Sequence, residues 1–90
     1  MTITTPHECL TATAFAISIQ RGDVAADAFA AATTIADRDV YLRRCRSAAT
    51  DLGLDIDADR RAGRIDQMTW VSRSRRVAAV IAYVDGAFAV

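Results

Sequence analysis

The sequence predicts an all-α fold, a small bundle of three to five helices in a single domain over residues 1–90, on three observations. Alanine, the strongest helix former, fills 19 of the 90 positions. Helix start and stop signals recur along the chain, at Thr5-Pro6-His7-Glu8, Gly22-Asp23, Gly53 and Asp85-Gly86. Between these signals apolar residues return every three or four positions, the period of a helix face.

The first element starts at Pro6 and runs to about Gln20. Thr5 at N-cap, Pro6 at N1 and Glu8 at N3 form a capping box, and Gly22 suits the left-handed residue after the helix. Leu10, Ala14 and Ile17 line one face, and Ala12, Phe15, Ala16 and Ile19 another, so this helix belongs in the centre. Asp23 caps a second helix, Val24 to Ala36. Asp37-Arg38-Asp39 is either a break or a polar turn within a longer helix that continues through Leu52, and Gly53 reads as its stop. Leu54 to Arg64, the most polar stretch, reads as a loop or a short helix capped by Asp55 or Asp57. A last helix runs from near Asp66 to Asp85, with Gly86 after it. Within it, Ser72-Arg73-Ser74-Arg75-Arg76 covers more than one turn with polar side chains, so the helix leaves the core there or contacts something with its arginines. The alternative is an α+β fold, in which these five residues link two strands and Asp85-Gly86 turns a C-terminal hairpin into Ala87-Phe88-Ala89-Val90. Ala78, Ala79 and Ala82 favour the helix.

Alanine supplies little apolar area, and the larger apolar residues number only 26, so the core of one copy is thin. Self-association, with a homodimer as the expected form, would supply what is missing. The 11 basic residues, all Arg, balance 11 acidic ones, which argues against a generic polyanion binder. No stretch resembles a signal peptide, and the longest apolar run, Val77 to Val84, is far short of the ~20 residues that cross a membrane. The expected setting is the cytoplasm, with Cys9 and Cys45 as reduced thiols in the core.

Site chemistry is sparse. Asp55, Asp57, Asp59 and Asp66 have the spacing of a calcium loop, but Arg60 stands where such a loop needs glycine. His7 and Cys9, two apart on a helix, point away from one another and make a poor nucleophile pair; Cys45 adds a third candidate ligand without a recognisable spacing. Arg21-Gly22-Asp23 is a helix end, a glycine stop and the next cap. No catalytic residue, metal ligand or cofactor is assigned, and the chain reads as non-enzymatic.

Two surfaces remain. Trp70 with Arg73, Arg75 and Arg76 has the residue types that dominate protein-binding hot spots. The expected function is a protein-interaction module, an adaptor or inhibitor of the size common among phage and mobile-element accessory proteins. The runner-up starts from Cys45 to Arg61, where Ala49, Leu52, Gly53 and Leu54 resemble the helix-turn-helix family of DNA-binding regulators. That resemblance implies a turn at Gly53 and a recognition helix capped by Asp55. Arg60 and Arg61, with Arg64 beyond them, would then reach bases or phosphates. Asp59 stands where that motif's second helix buries an aliphatic side chain.

Overall fold

The computed structural model describes residues 2–89, so Met1 and Val90, the last residue of the alternative hairpin, lie outside it. The described residues form four helices: α1 (Pro6–Arg21), α2 (Asp23–Thr33), α3 (Arg38–Arg61) and α4 (Gln67–Phe88). The fold is all-α, as the alanines and caps predict, and the segment set aside for a hairpin is helical to Phe88.

The Thr5 hydroxyl accepts from the Glu8 N–H at 3.1 Å, and the Glu8 carboxylate accepts from the Thr4 N–H and hydroxyl, one residue earlier than a capping box requires. Gly22 (φ 99°) ends α1, its N–H donating to the Ser18 carbonyl at 2.9 Å. The same glycine is also the N-cap of α2. Asp23 is therefore the first residue of α2 rather than its cap, and its carboxylate accepts from the Ser18 hydroxyl instead.

Residues 24–52 divide into two helices. Asp37 is the cause: its carboxylate accepts from the Val40 N–H at 3.0 Å and starts α3 afresh. α3 then passes straight through Gly53. Leu42, Cys45, Ala49, Leu52 and Ile56 are all buried, at alternating spacings of three and four. Ending the helix at Gly53 would strip Ile56 from that seam, so packing overrides the local stop signal. The stop comes ten residues later. Gly63 (φ 76°) donates to the Arg60 carbonyl and Arg64 to the Asp59 carbonyl, the paired bonds of a Schellman ending. Asp66 caps α4 through the Thr69 N–H at 2.7 Å, and Gly86 lies within the last turn rather than beyond it.

α1, α3 and α4 form the body. Cys9 meets Cys45 and Gln20 meets Asp59, so α1 and α3 run in the same direction. Arg46 binds Asp85 and Trp70 binds Asp57, so α4 runs against α3. α2 folds back on α1. The four helices share one core of small and medium side chains, with no aromatic fully buried. Among the described residues, no helix is long and apolar enough to cross a membrane.

Candidate functional site

The core seam of each body helix finishes on a polar residue at the same end of the bundle. α3 continues its three-four rhythm from Leu52 and Ile56 to Asp59. On α4, Arg73 precedes Val77, Val80 and Val84; on α1, Gln20 follows Thr13, Ala16 and Ile17. These three side chains meet. The Gln20 amide donates to Asp59 at 2.6 Å, and Arg73 donates to the Gln20 Oε1 at 2.8 Å. Arg64, from the α3–α4 turn, closes the chain on Asp59 at 2.7 Å. The hydrogen bonds from Arg64 and Gln20 hold the Asp59 carboxyl below its ordinary range. Arg73 thus occupies the core-facing side of α4 without the helix leaving the core.

Beside this layer, Trp70 is half-buried. Its indole N–H donates to Asp57 at 2.8 Å, and the Arg60 guanidinium lies over its ring, 4.3 Å from the centroid. Trp70, Arg73, Arg75 and Arg76, grouped on sequence as one surface, are therefore divided: Trp70 and Arg73 knit α4 to α3 and α1. Arg76 is half-buried over the Phe15 ring of α1, at 4.6 Å. Arg75 is exposed and has no hydrogen-bond or ion-pair partner among the described residues.

The helix-turn-helix geometry is not formed. Gly53 has no turn, and Asp55 is mid-helix, bound to Arg21 at 2.6 Å, rather than capping a second helix. Of the arginines assigned to DNA, Arg60 is stacked on Trp70 and Arg64 is paired with Asp59, while Arg61 is exposed. The same continuous helix removes the calcium loop, because Asp55, Asp57 and Asp59 lie along α3 and serve Arg21, Trp70 and Gln20. His7 is exposed on the first turn of α1, away from the buried thiols. Cys45 and burial push the Cys9 thiol well up from its ordinary value, which keeps it protonated.

The outer side of α4 is open. Met68 is 83% exposed, and with half-buried Val71 and Ala79 and the arginines 75 and 76 it lines a shallow depression. Phe15 and Ile19 of α1 extend the apolar surface past Arg76. Sequence reasoning found the arginines here but missed Met68, whose signal was an apolar residue in the same three-four row as Arg75. No family model matches the chain, and no curated protein or solved structure matches it.

Proposed function

We propose that the protein is a non-enzymatic interaction module, an adaptor or inhibitor, that docks another protein on the outer side of α4 in the cytoplasm. One observation carries this: Met68 and Arg75 stand exposed in one apolar row of a helix whose other side is committed to the core. Uncovered apolar surface rimmed by unpaired Arg is the composition of a binding hot spot. Arg75 and Arg76 act as rim charges, and Met68 and Val71 as the apolar centre. Trp70 and Arg73 act from behind, by fixing α4 in place.

The test is site-specific photo-crosslinking in cells that carry the gene. A benzophenone side chain at position 68 or 79 should give a covalent adduct with a protein, and one at exposed Thr50 of α3 should not. Arg75→Glu should erase the adduct formed from position 79. Absence of any adduct from both α4 positions overturns the proposal.

A further inference from the structure

We propose that the protein seated on the outer side of α4 is a second copy of this chain, which docks there through its α2, head to tail. The inference rests on α4 being an interaction surface and adds the identity of what covers it.

α2 is apolar on both sides. Ala26 and Thr33 are buried against the body and Phe29 half-buried, yet Val24 is 85% exposed, Ala28 and Ala31 are exposed after it, and Ile35, in the turn just past the helix, is 89% exposed. A helix lying on a protein surface normally turns a polar face to water. The outer row of α2 holds one charge, Asp27, which is exposed and has no partner among the described residues. The outer row of α4 is built the same way with the opposite sign: Met68, Val71, Arg75, Ala78 and Ala82, with Arg75 as its one charge.

The two rows match in register when laid antiparallel. With Asp27 of one copy against Arg75 of the other, helical steps bring Ala31 to Val71, and the turn that follows α2 leaves Ile35 at the Met68 end of the row. In the other direction they bring Val24 to Ala78. Val24 is then covered by Ala78, and the alanines in both rows let the helix axes approach closely. The surrounding charge agrees. Gly22 to Asp37 carries Asp23, Asp27 and Asp37 and no basic residue, whereas Gln67 to Val84 carries Arg73, Arg75 and Arg76 and no acidic one. Pairing α4 with α4 would bring two arginine clusters together, and pairing α2 with α2 would oppose acid to acid, so like-with-like association is disfavoured. α2 and α4 form no packed pair within one chain. Each copy therefore offers both halves of the contact, so association closes into a reciprocal dimer or larger ring, or grows as an open chain of copies.

Light scattering across a concentration series tests this. The wild-type chain should gain mass with concentration. Asp27→Arg and Arg75→Asp, both at exposed positions, should each weaken self-association about tenfold or more, with unchanged helical circular dichroism. Mixing the two variants in equal amounts should restore it, as should the double variant D27R/R75D, because each offers Asp against Arg again. A wild-type chain that stays monomeric overturns the proposal, as does association that survives D27R, which would mark a contact without α2. An adduct at position 68 with a protein other than this chain, from a monomeric wild type, would end the self-docking and leave the interaction role of α4 standing.

Discussion

α3 and α4 are held to each other by an ion pair, an indole hydrogen bond and a buried seam, whereas α2 is held mainly by packing on α1. The α3–α4 hairpin has an Asp cap on each helix and a Schellman turn between them. Arg46 binds Asp85 at 2.7 Å, Asp57 receives the Trp70 indole, and a row of buried Leu, Ile and Val side chains fills the space between. α2 has no side-chain cap, buries only Ala26 and Thr33, and leaves the Thr33 hydroxyl sealed from water without a partner. Within a single copy α2 receives little of the burial that its apolar side chains demand, and it shows how a thin, alanine-built core distributes its stability unevenly.

Substitutions can widen or close that gap. The largest effect is expected at Leu52, 1% exposed in the α3 seam. Leu52→Ala should cost about 3 kcal/mol in denaturant unfolding, while Val24→Ala on the outside of α2 should change the monomer by less than about 0.5 kcal/mol. Next is hydrogen exchange on monomeric protein. The amides of α2 should open with a free energy about 2 kcal/mol below that of the central α3 amides; equal protection would break the comparison. The two fully buried threonines give a smaller, signed effect. Thr13 donates to the Cys9 carbonyl at 2.8 Å, and Thr33 donates to nothing. Thr33→Val should raise stability by about 1 kcal/mol, and Thr13→Val should lower it by up to about 1 kcal/mol, both read from the denaturation midpoint.

Gly53→Ala should stabilise by about 0.5–1 kcal/mol, since a Cβ there meets Val77 at an ordinary 3.6 Å and removes helix-interior glycine. The smallest effect is on pH dependence. Asp59 and Asp85 have carboxyls held below the usual 3.8 by Arg64 with Gln20, and by Arg46. A depressed folded-state value contributes stability above pH 3.8, and the contribution is lost as pH falls from there through the folded value. Acid unfolding should therefore begin below about pH 4, and Asp59→Asn should flatten that limb of the thermal melting profile.

The starts of α1 and α4 were legible from local residues, Thr5 and Asp66 each sitting one residue before a helix, whereas Asp23 was read as a cap that Gly22 supplies and Asp37 was left as a break or a polar turn. Gly53 was misread for the opposite reason. A glycine after Leu52 has the local form of a helix end, and only the partner surface on α4 reveals that Ile56 must stay in the seam. Arg73 was misread likewise. Its helical position is core-facing, but a charged residue there makes sense only once Gln20 and Asp59 are known to arrive from two other helices. Arg75 and Met68 share a row that the sequence contains, yet their exposure depends on which side of α4 the body occupies.

By itself the sequence determined that the chain is helical, where most helices begin, and that its core is poor in large side chains. Those properties depend on residues within a turn or two of each other. The tertiary structure decided which glycine ends α3, which arginines are consumed inside the bundle, and which apolar rows are left facing water. Each of these depends on groups brought together from distant parts of the chain, and local spacing carries no record of them.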